Sequence, residues 1–324
     1  MRRIFGIETE YGITCAASKG HAPLDAEQAA RRLFKPVVNR HRSSNVFLGN
    51  GGRLYLDVGS HPEYATAECD NLRDLLAQDS AGQALFADLL AKVNQELKTE
   101  GIDGRIHLFK NNLDSQGNSC GCHENYLLHR SADFMGMADG LITFFITRQI
   151  LVGAGQIDEN GDYHFSQRAN QIYDPISAAT TRARPIINTR DEPLADSNQY
   201  RRMHVIVGDS NICQATTALK VGMTVALLDA LDCSLTLNDL AVSDPMNAIR
   251  DINADLSGMT VLQLKQGGSS SAVQIQNSIY QRVMNTLSDA GELEATRERI
   301  MIAGLDPLEL WGRALKCFET QDFS

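Results

Sequence analysis

The sequence predicts an α+β fold built on an antiparallel β-sheet, with helices packed on one face and the other face lining a site. Three observations predict it. Strand-like segments carry apolar residues on one side and charged residues on the other, the alternation of a sheet with one covered face. Apolar stretches at helical spacing lie between them. Two-sided apolar runs of the parallel-sheet type are scarce, and Asn50-Gly51-Gly52 is a turn that joins two short strands as a hairpin.

Taken in order, Arg3 to Gly12 reads as a strand with Glu8 and Glu10 on one face. Asp25 with Gln28 three residues on opens a helix carrying Ala29, Ala30, Leu33 and Phe34, and Pro36 is expected to limit it. The hairpin then sets Val46-Phe47-Leu48 against a strand from Arg53 to Val58. On that strand Arg53, Tyr55 and Asp57 point one way, and Leu54, Leu56 and Val58 the other. Asn71 caps a long helix whose leucines recur from Leu72 to Leu97, ended by Gly101 and Gly104. Arg105 to Lys110 is a strand turned by Asn111-Asn112. Cys122 to Leu128 is another, with His123, Asn125 and Leu127 opposed to Glu124 and Tyr126.

Beyond it, 134–152 is an apolar helix, Gly153 to Gly155 a turn, and Gln156 to Tyr163 a polar turn with hairpin character. The stretch 182–192 reads as a loop rich in basic groups. Arg201 to Val207 is a strand on which Arg202, His204 and Ile206 share a face. Helices follow at 215–231 and from Pro245 through Ile252, then a short strand at 261–264. Helices fill 272–323 with a break around Ala303 to Pro307.

Composition bounds the function. With 324 residues, 43% hydrophobic and 22% charged, the chain is an ordinary globular protein. A net charge of −10 excludes general nucleic-acid affinity. Seven cysteines, an odd number, argue against a disulfide framework. No apolar run is expected to span a bilayer, and the N-terminus reaches Glu8 too soon for a secretory segment. A cytoplasmic protein without membrane contact is the expectation. Cys120-Gly-Cys122-His123 is a weak zinc signal without a second cysteine pair, and buried or idle thiols are the reading kept.

A phosphate-binding Gly-rich loop ending in Lys-Ser/Thr does not occur. Any chemistry must come from carboxylates, histidines and arginines spread over strands. The candidates are Glu8, Glu10, Tyr55, Asp57, Glu63, His123, Glu124 and His204, with Arg53, Arg182, Arg184, Arg190, Arg201 and Arg202. Converging carboxylates suit a hard cation such as Mg²⁺, and arginines suit the phosphates of a nucleoside triphosphate. The residues alone leave the plainer alternative open: half-solvated strands with ordinary surface ion pairs.

Several blocks carry a resemblance: Gly6-Ile-Glu-Thr-Glu-Tyr-Gly12, Ser43-Ser-Asn45, Arg53 through Asp70, Phe109-Lys-Asn-Asn112, Cys122-His-Glu-Asn-Tyr126, Arg184 through Pro193 and His204-Val-Ile-Val-Gly-Asp-Ser-Asn211. Together they resemble the Pup ligase/deamidase family, running from the first residue to Leu310-Trp-Gly-Arg313 and Gln321-Asp-Phe323. Thr9 and the short loop after the first strand are similar to the ligase branch rather than the depupylases.

The resemblance implies a glutamine synthetase-like fold in which a curved, mostly antiparallel sheet cradles ATP and Mg²⁺. It implies phosphorylation of the C-terminal glutamate side chain of Pup, then attack by a lysine of a target protein to form an isopeptide bond that marks the target for the proteasome. By position it implies Glu8, Tyr55 and Glu63 as metal ligands, Arg53 and Thr66 as ATP contacts, and Asp57 as the base that takes the lysine proton. Glu10, His204, Arg184 and Arg202 are weaker candidates. A depupylase, or a non-catalytic Pup-binding remnant, are the alternatives. Residues 1–324 are expected to be the large catalytic domain, with the family's small C-terminal domain and its adenine-side tryptophan missing, and Cys120 stands where the family usually has Tyr or a similar residue.

Overall fold

The computed structural model describes residues 3–57, 59–114, 117–130, 133–179, 184–190 and 196–323. The expected strand residue Val58 and, in the basic stretch, residues 182–183 (with the candidate Arg182) and 191–192 lie outside the described residues. The chain forms two compact units, one of residues 6–69 and 74–122, the other of 1–5, 70–73 and 123–324.

The first unit holds β1 (Phe5–Glu10), β2 (Gly12–Ala16), α1 (Ala26–His41), β3 (Asn45–Phe47), β4 (Arg53–Leu56), β5 (Pro62–Ala65), α2 (Leu72–Thr99) and β6 (Arg105–Phe109), apart from the few end residues assigned to the other unit. β1, β5, β4 and β3 pair in that order, all antiparallel. β2 and β6 make a separate antiparallel ribbon. Alternation puts Val46, Leu54 and Tyr64 on one face, where they join Leu33 and Phe34 of α1 and Phe86, Leu89 and Val93 of α2 in one core. Gly82 lets α2 come down on Tyr64, because a Cβ there would lie 2.4 Å from the ring.

α1 opens with the expected capping box between Asp25 and Gln28. It does not stop at Pro36 but runs on to His41. An interior proline costs about 3 kcal/mol, yet Leu33, Phe34 and Val37 all bury on the same side, and that packing carries the helix past it. The first expected strand is in fact two. Glu10 and Tyr11 turn their N–H groups to Gly121 and Pro62, and the chain restarts at Gly12 as the ribbon strand.

The second unit holds β7 (Cys122–His129), α3 (Phe134–Thr147), α4 (Gln149–Val152), β8 (Gln156–Ile157), β9 (Tyr163–His164), β10 (Asp174–Ser177), β11 (Pro185–Asn188), β12 (Tyr200–Val205), α5 (Gln214–Asp232), α6 (Pro245–Ala254), β13 (Val261–Gln263), β14 (Ser269–Ser271), α7 (Ala272–Asp289), α8 (Leu293–Ile300) and α9 (Pro307–Thr320). β10, β11, β12 and β7 pair in that order, parallel only between β10 and β11. The polar turn at 156–163 is the hairpin β8–β9. The expected basic loop instead contains β11, a strand buried along its whole length. The stretch Phe134–Val152 is, by length and composition, apolar enough to cross a membrane, contrary to expectation. It is 72% buried here and serves as core.

Glu124 faces that core. Arg148 grips its carboxylate with both terminal nitrogens, one at 2.9 Å, and also donates to Thr224 at 2.7 Å, while Tyr126 donates to Glu124 at 2.7 Å. Burial alone would raise the Glu124 carboxyl, but the Arg148 and Lys220 cations outweigh it and hold it below the usual range. Glu124→Gln should therefore leave Arg148 buried and unpaired and cost about 3–5 kcal/mol in a urea titration. A loss under about 1 kcal/mol would show the pair to be dispensable.

Candidate functional site

Register builds the polar face of the first unit. Glu10 lies opposite Glu63, and Glu63 opposite Tyr55, so these three side chains form a row across β1, β5 and β4. The adjacent row runs from Glu8 through Ala65 to Arg53. The two rows bring together five of the residues predicted from the sequence.

Electrostatics make the first row unusual. Glu63 is only 2% exposed. Burial, then the neighbouring Glu8 and Glu10 carboxylates, push its carboxyl up to about 9. Tyr55 donates its phenol proton to Glu63. Burial and the Glu8 and Glu63 charges keep that phenol protonated far above its ordinary range. Glu10 is held by the Gly121 N–H, which donates to Oε2 at 2.6 Å, and by His61, whose Nδ1 lies 3.5 Å away. The hydrogen bond to Glu10 raises His61 against the opposing effect of burial.

Asp57 sits just past β4, where the chain bends into β5. Its N–H donates to the His61 carbonyl at 2.9 Å, and its carbonyl accepts from the Ser60 N–H at 3.0 Å. Gly59 and Ser60 both take left-handed conformations, with φ of 87° and 64°. The Asp57 side chain is exposed, yet its carboxylate joins those of Glu10 and Glu63 with ligand oxygens within 4.8 Å of one another. An all-oxygen trio of this kind can hold a hard divalent cation.

Arg53 is aimed rather than loose. Its Nε donates to Asn45 Oδ1 at 2.8 Å, and its guanidinium carbon lies 4.5 Å from the Tyr55 ring centroid. That fixes the plane of a group suited to phosphate oxygens. Thr66 Oγ1 accepts from the Ile7 N–H at 3.1 Å, which places the hydroxyl beside β1.

In the second unit, Arg202 donates to Asn125 Oδ1 at 2.7 Å and lies 2.6 Å from His204 Nδ1. The His204 ring meets His123 edge-on at 5.0 Å. Arg184 precedes β11 and donates to Gln171 at 3.2 Å. Arg201 lies over the Phe134 ring at 4.9 Å, a packing role, and Glu124 belongs to the buried pair with Arg148 rather than to a polar face. Sequence reasoning missed Asn45, the Arg53 partner, and His61. The signal for His61 was its place two residues before Glu63, the spacing of one face of an extended segment.

Residues 3–324 match the family model described as Pup-ligase protein. The Pup–protein ligase of Jonesia denitrificans is 52% identical over all of this chain and 70% of its own length. A crystal structure of the complex between the prokaryotic ubiquitin-like protein Pup and its ligase PafA superposes with a TM-score of 0.87 at 42% identity, over 99% of this chain and 64% of that one. The Pup ligase PafA in complex with ADP gives 0.77 at 43% identity, over 95% and 67%. Glutamate–cysteine ligase of Francisella tularensis, at 10% identity and a TM-score of 0.50 over 98% of this chain and 89% of that one, shares the fold alone.

The raised Glu63 carboxyl makes a pH prediction. In the fold it keeps its proton up to about 9, while the unfolded chain releases it near 4.5. Its contribution to stability is thus complete below about 4.5 and is lost as pH rises through about 9. Without divalent cations, melting temperature should fall across that window, and Glu63→Gln should flatten the fall. Equal slopes for the two proteins would remove Glu63 as the cause.

Proposed function

The chain belongs to the Pup-ligase family, and from that premise we propose that it is an ATP- and Mg²⁺-dependent ligase joining Pup to lysines of target proteins. Residues 1–324 would act as the large catalytic domain. The single observation that carries the proposal is the Glu10–Glu63–Tyr55 row ending beside Asp57, with Arg53 held in the adjacent row. The donor set fits Mg²⁺: it is all oxygen, and Glu63 keeps a proton where a cation would otherwise balance the crowded carboxylates.

Glu8, Tyr55 and Glu63 are the proposed metal positions, with Glu10 supporting them. Mg²⁺, when bound, supplies charge neutralisation for the phosphate oxygens. Arg53 takes phosphate oxygens through its guanidinium, and Thr66 contacts the nucleotide. The γ-phosphoryl group of ATP passes to a side-chain carboxylate oxygen of the C-terminal glutamate of Pup, and ADP leaves. The target lysine nitrogen then attacks the acyl carbon, the carbon–oxygen bond to phosphate breaks, and the isopeptide C–N bond forms.

A lysine side chain with pKa about 10.4 arrives as ammonium, so a base must take its proton before it can attack. Asp57 suits that role because its carboxylate is exposed at the rim of the carboxylate cluster. His204 and Arg202 form a hydrogen-bonded pair, and we assign it, with Arg184, a secondary role toward phosphate. The seven free thiols suit a reducing compartment, and we assign the protein to the cytoplasm.

The test incubates this chain with Pup ending in glutamate, ATP, Mg²⁺ and a lysine-bearing acceptor. Conjugate and ADP should appear together, and Asp57→Asn should slow conjugation by roughly 10²-fold or more. Release of Pup from a preformed conjugate, without conjugation or ADP, would instead assign a depupylase. Pup binding with neither reaction would assign a binding protein.

A further inference from the structure

Beside the all-oxygen trio stands a second cluster of different chemistry. One ligand atom each from Glu10, His61 and Cys120 lie within 4.8 Å of one another. They come from three places far apart in sequence: the end of β1, the β4–β5 bend and the segment before β7. We propose that Glu10, His61 and Cys120 form a binding site for a borderline-soft divalent cation of the Zn²⁺ type.

A carboxylate, an imidazole and a thiolate make the mixed oxygen, nitrogen and sulfur set that Zn²⁺ takes with three protein ligands, leaving a fourth position for water. Mg²⁺ has no use for the sulfur, so the Cys120 thiol and the His61 imidazole distinguish this site from the neighbouring trio, with which it shares Glu10. Around a tetrahedral ion the ligand atoms would stand about 3.5 Å apart, so small side-chain rotations close the present spacing.

The backbones that carry the donors are already fixed. The Cys120 N–H donates to the Asn112 carbonyl at 3.0 Å, and Asn112 Nδ2 donates to the Cys120 carbonyl at 2.9 Å. The adjacent Gly121 N–H holds Glu10. Cys120 is 5% exposed, whereas the His61 side chain is 26% exposed and offers the ion a way in.

The probe is Co²⁺, added to the purified protein without nucleotide or Pup. A thiolate-to-cobalt absorption band should grow to one equivalent, persist in excess Mg²⁺ and vanish when Zn²⁺ is added. Cys120→Ser should abolish the band and weaken Zn²⁺ binding by more than the roughly 10–100-fold typical of losing an outer-shell partner. His61→Asn should weaken it likewise, with circular dichroism unchanged in both variants. Absence of the band in the unaltered protein would overturn the proposal. So would a band that survives Cys120→Ser, since the ion would then sit on another thiol such as the exposed Cys213.

Discussion

Four carboxylates crowd one end of a sheet face, and Glu63 is the one most shielded from water. Its position follows from packing on the opposite face. Tyr64 is locked between the sheet and α2, at a point where only glycine at 82 permits the approach. Because side chains alternate, fixing Tyr64 toward the core fixes Glu63 away from it, and a one-residue slip would exchange them. The β1 and β4 partners then flank Glu63 with Glu10 on one side and Tyr55 on the other. The site is thus a by-product of core packing: the contacts that bury Tyr64 are the ones that confine the carboxyl.

Glu124 shows that burial alone does not mark a site. Both carboxylates are almost fully enclosed, yet they shift in opposite directions. Glu124 has Arg148 and Lys220 beside it and is a settled ion pair, whereas Glu63 is surrounded chiefly by like charges and a phenol. A carboxyl pushed up by burial and then by neighbours of its own sign is poised for a cation or proton, and such groups concentrate at functional sites. Plain structural roles account well for Arg201, which packs over Phe134, and for Glu124, which is a buried ion pair. They account poorly for the Glu10–Glu63–Tyr55 row.

Much of this was legible before the structure, and the limits have physical causes. Period-two alternation exposed the faces of β4 and β7, and the capping box located the start of α1. Short strands were harder. β5 begins with a proline and carries a glutamate among its four residues, and β11 is four residues long within a basic stretch, so neither shows a period. Pro36 looked like a stop because helix propensity is local, whereas the burial of Leu33, Phe34 and Val37 that overrides it is tertiary. Tyr55, Glu63 and Asp57 could be picked out as residue types, but the row they form depends on register between strands. Cys120 looked idle for the same reason, since Glu10 and His61 reach it only through the fold.

The bend from Asp57 to His61 joins these threads. A left-handed serine costs of order 1–3 kcal/mol, and Ser60 is kept there by the paired hydrogen bonds of Asp57 with His61 and Ser60. That strain has a geometric return. The bend places Asp57, His61 and Glu63 on one side within seven residues, so that an exposed carboxylate, an imidazole and a buried carboxyl face the same Glu10. A looser turn would let Asp57 swing into solvent and would uncouple it from the row. The bend is therefore the element by which a fold held together on its apolar side brings an open carboxylate to the edge of an enclosed one. Such a pairing suits the proton removal proposed for Asp57.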